Sequence, residues 1–502
     1  MTSLFIAVLL GQNLWAKTYG GPSLDWAFSI TPSTDGGYVV AGRTESFGAG
    51  LYDFLVLKLA PDGSVSWAKT FGGVNYDWGG YSVIHTTDGG YVVAGWTESF
   101  GAGLRDFLVL KLASDGSLEW ARTYGGTGYD QVYSVIQTTD GGYVLAGEGS
   151  LFPAGMLVIK LASDGSVDWA RTFGGTANNG ANSVIQTDDG GYAVVGWTNV
   201  FGAGSYDIFI LKLASDGSLD WARTYGGTDY DNAYSIIQTT DGGYAITGYT
   251  SSFGAGGNDL FILKLASDGS LDWARTYGGT TTDRGYSIIQ TVDGGYAVAG
   301  FTYSFGIGNH LFILKLASDG SLDWARTFDG SMAPDGGYSL IQSPEGGYVV
   351  AATTAKFGAG GNDLFVIKLD SEGNYTDCVQ SCSPTVMNIY PATSSPSVGV
   401  PCSPILSSPS LTITNPNLTI TDACVPLFVE ESSLYSESGI TCSPLPAGAL
   451  FISPEEMLVR IYKADGKLVY SGELRKGRNL INLDAGVYFW QAGQFKGKAV
   501  VR

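Results

Sequence analysis

Few residues in this chain are of types that do chemistry unaided. There are two histidines, His85 and His310, in segments that do not correspond to one another. A Ser-His-Asp or zinc site would have to be built around one of them. Five cysteines, Cys378, Cys382, Cys402, Cys424 and Cys442, all follow residue 370. Two disulfides and one odd thiol, formed in an oxidising compartment, are the expected arrangement. A metal site is the weaker alternative, because no histidine stands near Cys378 and Cys382. Aspartates recur at fixed places, so paired carboxylates for glycoside cleavage depend on spacing in space rather than in sequence. No acidic residue stands out from the recurring set. Segments such as Asp268–Asp272, Asp-Gly-Ser-Leu-Asp, lack the oxygen density and distal glutamate of a calcium loop and read as hairpin turns. The pair Gly278-Gly279 does not open a helix, so it does not cradle phosphate. No catalytic, cofactor-binding or metal-binding residue is expected.

The elements that would position any site come from a repeat. A tryptophan recurs at Trp15, Trp67, Trp120, Trp169, Trp221, Trp273 and Trp324. A tyrosine following Gly-Gly recurs at Tyr38, Tyr91, Tyr143, Tyr192, Tyr244, Tyr296 and Tyr348. The spacing is about 52 residues, a repeat architecture. One unit has four strand-length runs, Ala233–Gln238, Tyr244–Thr250, Leu260–Leu265 and Leu271–Tyr277, rich in Ile, Tyr, Phe and Thr. Asp-Gly and Gly-Gly turns divide them. Nothing has helical length or period. Each unit is therefore a four-stranded antiparallel meander, and seven of them around an axis make a β-propeller.

Ring closure sharpens the expectation. Blade one is predicted to run over Asp25–Phe71 and blade six over Asp283–Phe328. Blade seven, from near Asp335, lacks its last strand, since no Trp follows Lys368-Leu369. The missing strand stands at the other end of the chain, around Trp15–Gly21, and predicts a propeller closed by its N-terminal segment.

Several charged positions repeat. Lys58, Lys111, Lys160, Lys212, Lys264, Lys315 and Lys368 sit on the third strand. Arg122, Arg171, Arg223, Arg275 and Arg326, with Lys17 and Lys69, sit on the fourth. Asp53, Asp106, Asp207, Asp259 and Asp363 open the third. A feature present in nearly every blade serves the blade, so cross-strand ion pairs and turn caps are expected. Function is better sought where the repeat breaks: 147–156, 178–180, Arg284, Asn309-His310 and 332–334. Trp78, Trp96 and Trp197 could stack on sugars, although filling gaps between blades is the commoner use of such side chains.

The net charge of −20 argues against nucleic acid as a partner. Residues 1–12 hold the apolar run Leu4–Leu10, too short to span a bilayer. They are expected to be a signal peptide with a truncated start, no Lys or Arg preceding the run; an extra strand beside Trp15 is the alternative. The propeller is assigned to 13–377. Residues 378–450 read as an extended Ser/Thr/Pro-rich linker carrying the cysteines, with short strands at Leu411–Thr414 and Leu418–Thr421. Residues 451–502 turn basic and read as a small β-sandwich.

Two resemblances add to this. Val459–Val469, containing Tyr462, Asp465, Gly466 and Lys467, then Asn479–Leu483, then Gly486-Val487-Tyr488, and the final run with Lys498, resemble the C-terminal sorting domain of the type IX secretion system of Bacteroidota. The usual Asn-Pro-containing opening strand is not clear, and Ile452-Ser453-Pro454 stands in its place. The resemblance covers the last fifty or so residues. It implies export through a signal peptide, recognition by the outer-membrane translocon, and delivery to the cell surface or medium. The Trp-Ala-Arg-Thr-Tyr-Gly-Gly, Asp-Gly-Gly-Tyr and Phe-Gly-Ala-Gly elements resemble bacterial β-propeller repeats of surface and secreted proteins, which bring no settled activity.

The expected function is an exported, non-catalytic, monomeric propeller that binds a polysaccharide or a surface protein and is delivered by the secretion machinery. The alternatives are a glycan hydrolase or lyase using carboxylates on the propeller face, and a spacer without ligand.

Overall fold

In the computed structural model the described residues are 14–149, 155–174, 179–305, 308–328 and 338–375, followed by the backbone of short strands between Val379 and Val501. They form strands and turns throughout.

The N-terminal strand β1 is Trp15–Gly20. Blade one is β2 (Asp25–Pro32), β3 (Tyr38–Thr44), β4 (Asp53–Leu59) and β5 (Val65–Gly72), paired in sequence order and antiparallel. The same meander recurs to blade six, Asp283–Phe328. Blade seven supplies only Ser339–Gln342, Tyr348–Thr354 and Asp363–Leu369, and β1 completes it, with Trp15 opposite Lys368 and Tyr19 opposite Leu364. The molecule is an all-β, seven-bladed propeller closed by its N-terminal strand.

The turns carry out the local chemistry their sequence suggests. Gly36, at φ 79°, takes the left-handed position of the first hairpin. Asp35 caps that turn by accepting from the Gly37 N–H at 3.1 Å. Its other oxygen meets Lys58 Nζ at 3.0 Å. The pairing recurs as Lys111–Asp88, Lys160–Asp140, Lys212–Asp189, Lys264–Asp241, Lys315–Asp293 and Lys368–Glu345. The third-strand lysines thus serve their own blades. In the Asp-Gly-Ser turns, Asp62 accepts from the Ser64 N–H at 2.9 Å and from its hydroxyl at 2.6 Å, so this carboxylate is spent on its own turn.

The core lies between blades. At the seam of blades seven and one, Trp15, Tyr19, Val349, Leu364 and Val366 pack on Tyr38, Val40, Leu55 and Leu57. The innermost strands are stitched directly: Ser29 Oγ accepts from the Val83 N–H at 3.1 Å, and Ser134, Ser235 and Ser287 repeat the contact.

Beyond the blades, seven short strands from 379–422 pair antiparallel with the outer strand of each sheet in turn, from blade six back to blade one and then blade seven. A second unit, 426–502, contains a three-stranded and a four-stranded sheet. Among the described residues no helix is long and apolar enough to cross a membrane.

Candidate functional site: the upper rim of the propeller

The two ends of the propeller differ. At the lower end lie the Asp-Gly-Gly-Tyr and Asp-Gly-Ser hairpins, nearly the same in each blade. At the upper end the first strand of each blade begins and the second ends. There the facing pairs are Trp26–Arg43, Trp78–Trp96, Gln131–Glu148, Gly180–Trp197, Asn232–Tyr249 and Arg284–Phe301. All six differ. Four residues further down the first strand, or five in blade two, whose first strand has one more residue, the facing pairs are Ile30–Val40, Val83–Val93, Val135–Leu145, Val184–Val194, Ile236–Ile246 and Ile288–Val298. Duplication kept the packing row and diversified the rim.

Exposure gives the same asymmetry. Leu51, Val74, Tyr76, Leu104, Tyr129, Val200, Tyr230 and Tyr303 are exposed large apolar residues, all on upper-end loops. Among the described propeller residues only Val292 is their counterpart below. Isolated exposed hydrophobics are ordinary, but a one-sided collection is a mark of an interaction face.

A β-bulge explains how side chains reach the axis. The register of the first two strands slips between Ala27 and Ser29, and likewise between Val132 and Ser134, Ala233 and Ser235, and Gly285 and Ser287. The extra residue, Phe28, Tyr133, Tyr234 or Tyr286, is re-aimed by the bulge. Rings of neighbouring blades then meet: Phe28–Tyr81 at 4.8 Å, Tyr81–Tyr133 at 5.3 Å, Tyr234–Tyr286 at 4.6 Å and Tyr286–Tyr338 at 5.3 Å between centroids. In blade four Asn182 occupies the position and donates to Asn232 Oδ1 and Ala233 O, interrupting the aromatic ring.

Above that ring, blades one to three build a ladder of stacked planes. The Arg43 guanidinium lies 4.0 Å from the Trp26 ring and 3.5 Å from the Trp78 ring. Trp78 stacks on Trp96 at 5.2 Å and 13°. Arg105 follows, 4.1 Å from Trp96 and 5.2 Å from Tyr129, and pairs with Glu98 at 2.9 Å. Each guanidinium attracts the negative faces of the rings beside it. On the other side Arg284 lies 4.3 Å from the Tyr249 ring.

One carboxylate breaks the pattern. Glu148 accepts from the Tyr133 hydroxyl at 3.1 Å, and that hydroxyl also reaches Gln131 Oε1 at 2.8 Å. Burial pushes the Glu148 carboxyl up, and nearby Asp130 adds to this. The Tyr133 bond and the Arg105 charge oppose the shift. Glu148 corrects the expectation that no acid departs from the repeating set. Comparing the residue facing the second rim position across the repeats would have found it.

The repeat breaks converge only in part. Glu148, Gly180 and Arg284 occupy the rim row, and Asn179 opens the same strand as Gly180. His310 also lies at the upper end, opposite Thr302, whereas His85 lies at the lower end beside Tyr91. The two histidines do not share a site. Trp96 is buried, while Trp78 and Trp197 are half-buried. Among the described residues no cluster of three His, Cys, Asp or Glu could hold a metal.

In the C-terminal unit, Tyr462 faces Phe489 and Phe489 faces Lys498, while Tyr488 faces Lys463, all within the four-stranded sheet that also holds Gly486 and Val487. Asp465, Gly466, Lys467, Cys378, Cys382, Cys402, Cys424 and the 332–334 break lie outside the described residues. Cys442 is on the strand Thr441–Leu445.

The fold and rim define a seven-bladed β-propeller with duplicated blades and one diversified face. The family model described as a domain of unknown function (DUF5122) beta-propeller matches residues 86–119, 187–220 and 239–272. No curated protein matches the chain. Among solved structures, PorZ, described as an essential surface component of the type-IX secretion system of Porphyromonas gingivalis, is similar at TM-score 0.39 and 12% identity; the alignment covers 96% of this chain and 60% of PorZ. A puromycin hydrolase matches at TM-score 0.44 and 12% identity, over 73% of this chain and 57% of the hydrolase. The periplasmic gluconolactonase of Pseudomonas aeruginosa matches at 0.37 and 13%, over 78% and 99%. A secretion-system surface component and two enzymes thus stand side by side, and at these scores none carries an argument about activity.

Proposed function

We propose that the protein is an exported, surface-displayed or secreted binding propeller that engages polysaccharide through its upper rim. The observation that carries this is the concentration of blade-specific residues and exposed tyrosines at one end of an otherwise uniform ring. Flat tyrosine faces beside Arg105, Gln131 and Asn232 suit a sugar, whose C–H face stacks on an aromatic ring while its hydroxyls seek polar groups. The test is a glycan-binding screen of the full chain, followed by Tyr129→Ala and Tyr230→Ala. Each is expected to weaken binding about tenfold, as losing one stacked platform of about 1–2 kcal/mol would. Unchanged binding by both variants, or capture of a surface protein with no glycan bound, overturns the reading.

A hydrolase or lyase is the second reading, and Glu148 favours it, because a carboxyl pushed upward suits a general acid. A glycosidase of the usual kind needs a second carboxylate across the substrate. Asp130, which acts on Glu148 electrostatically, is wholly buried at a seam. Sugar release by the wild type that is abolished in Glu148→Gln would make this the function. For delivery, we propose that 451–502 is a type IX sorting domain and 1–12 a signal peptide. Removing Met457–Arg502 should strand the protein in the periplasm.

A further inference from the structure

The aspartates that open strands meet in pairs across blade boundaries. Asp53, opening a third strand, meets Asp77, which opens the first strand of the next blade. Both border the point where a Cβ on Gly72 would stand, Asp53 Oδ1 at 1.7 Å and Asp77 Oδ2 at 2.9 Å. The same point beside Gly20 lies 1.9 Å from Asp363 Oδ1 and 2.9 Å from Asp25 Oδ2. Gly226 gives 2.1 Å to Asp207 and 2.8 Å to Asp231. Gly125, with Asp106 and Asp130, and Gly278, with Asp259 and Asp283, repeat the arrangement. The first glycine of each Gly-Gly pair is therefore the residue that leaves room for two carboxyl groups. All ten carboxyls are buried to 1% exposure or less.

The members of a pair are not equivalent. Asp77 is fully engaged: one oxygen takes the Thr97 hydroxyl, and the other takes the Ser99 hydroxyl at 2.7 Å and the Gly73 N–H at 2.6 Å. Asp363 uses Oδ2 for the Ala359 and Gly360 N–H groups at 3.1 and 3.3 Å, and Asp53 does the same with Ala49 and Gly50. Oδ1 of the third-strand acids Asp53, Asp207 and Asp363 is buried without a partner and lies beside the neighbouring carboxyl; Oδ1 of the first-strand Asp283 is likewise buried without a partner. The charged group acting on Asp53 is Asp77, that on Asp106 is Asp130, that on Asp207 is Asp231, that on Asp259 is Asp283 and that on Asp363 is Asp25. Two neighbouring carboxylates repel when both are charged, and each raises the other's affinity for a proton.

We propose that these five seams are proton-operated locks: one hydrogen, carried on the third-strand aspartate where it faces the first-strand aspartate of the next blade, closes each seam, and its release to water loosens the ring. Burial first, and the facing carboxylate in addition, push Asp53, Asp106, Asp259 and Asp363 up to about 6 against their backbone N–H bonds. Asp207 moves the same way. The folded protein thus holds protons that the unfolded chain, with carboxyls near 3.8, has lost. Stability from the locks is complete below that value and is lost as pH rises through about 6.

The chain contains its own control. At the seam of blades three and four the third strand opens with Gly155 and the next first strand with Asn179, so both acids are gone together. Asn179 instead donates to Gly174 O at 3.0 Å.

The experiment is an infrared titration of the full chain from pH 4 to pH 8, paired with melting curves. A carboxylic-acid carbonyl band should persist at pH 5 and bleach with a midpoint near 6, and the melting temperature should fall over the same interval. Asp53→Asn supplies an N–H where the proton would sit and should remove about a fifth of the band and of the proton release. The variant with Asn at 53, 106, 207, 259 and 363 should melt with a clearly weaker dependence on pH across that window, the remainder coming from raised carboxyls such as Asp77 and Glu148. A band absent at pH 5, or an undiminished pH slope in the fivefold variant, overturns the proposal. So would calcium raising and EDTA lowering the melting temperature of the wild type at pH 7, which would assign the pairs to a metal ion. Should the fivefold variant not fold, the Asp53→Asn band decides alone.

Discussion

The closing strand offers the most demanding test of the architecture. Trp15 and Tyr19 are buried at the seam between blade seven, whose sheet they complete, and blade one, whose hairpin they reach. Trp15 Nε1 donates to Pro61 O at 2.9 Å and the Tyr19 hydroxyl to Gly63 O at 2.6 Å. Replacing a buried aromatic by alanine costs about 3–5 kcal/mol, so Trp15→Ala with Tyr19→Ala should cost about 6–10 kcal/mol. A whole domain is stable by only about 5–15 kcal/mol, and the double variant should be largely open or unfolded at 25 °C. Guanidinium unfolding would read the loss. A second arm isolates closure from simple core damage. Deleting residues 1–21 leaves the strand Asp363–Leu369 with an unpaired edge, which should promote self-association. Adding a synthetic peptide of residues 13–22 in trans should restore the monomer and the unfolding midpoint. A deletion as stable as the full chain, or one indifferent to the peptide, would refute closure by β1. Tyr19→Phe should be mild, because Phe71, Phe173 and Phe328 stand at the equivalent place in other blades.

Other outcomes follow from single contacts. Gly72→Ala would drive its methyl into two carboxyl groups and should destabilise by about 3 kcal/mol, whereas Gly89→Ala has open space around it and costs about 1 kcal/mol for its φ of 86° alone. Thermal melts of the two variants make the comparison. Arg43→Met removes the cation held between Trp26 and Trp78 and should cost about 2 kcal/mol, with a changed near-ultraviolet tryptophan spectrum; an unaltered spectrum would contradict the ladder. On the acid limb, burial raises Asp88 and its fellows, but bonds from Lys111, Thr86 and the Gly90 N–H outweigh it and hold the carboxyl down to about 2. Those ion pairs contribute stability above the unfolded value near 3.8 and lose it as pH falls towards 2. Lys111→Met should shift the acid midpoint upward.

Much of the wheel could be read from the sequence because its signals are local and repeated seven times. The runs Tyr244–Thr250 and Leu271–Tyr277 are strands within a residue of their expected ends, and the unmatched strand at Trp15 finds the deficit at Leu369. The seams were less legible. Asp53 and Asp77 were visible as strand openers, yet their meeting depends on the angle between two sheets, which no periodicity encodes. The bulge at Phe28 and Tyr133 was likewise hidden, since an extra residue in a strand looks like ordinary alternation until a partner strand is set beside it. Of the short strands of 379–422, Thr412–Thr414 and Thr419–Asp422 answer to the expected runs at Leu411–Thr414 and Leu418–Thr421; the others are too short for a pattern, and their backbone partners lie on blades far away in sequence.

A ring of duplicated blades separates structure from function more cleanly than most folds. Every blade must present the same two flanks to its neighbours, so a residue on a flank answers to two blades at once and resists change. The rim answers to neither. Trp26, Trp78, Gln131, Gly180, Asn232 and Arg284 occupy one register position, and each stands on the same backbone, so their diversity costs the fold little. The aromatic ring below them is intermediate: its members touch across seams, and the blade that departs, with Asn182, replaces a ring contact by hydrogen bonds to the next blade. Selection for a ligand therefore has one place to act without unseating the wheel. The rim itself is uneven: guanidinium and indole planes stack over blades one to three, and Glu148 stands at their edge. A ligand recognised there would be read by an asymmetric surface on a nearly symmetric scaffold, and its orientation on the ring would be fixed by that difference.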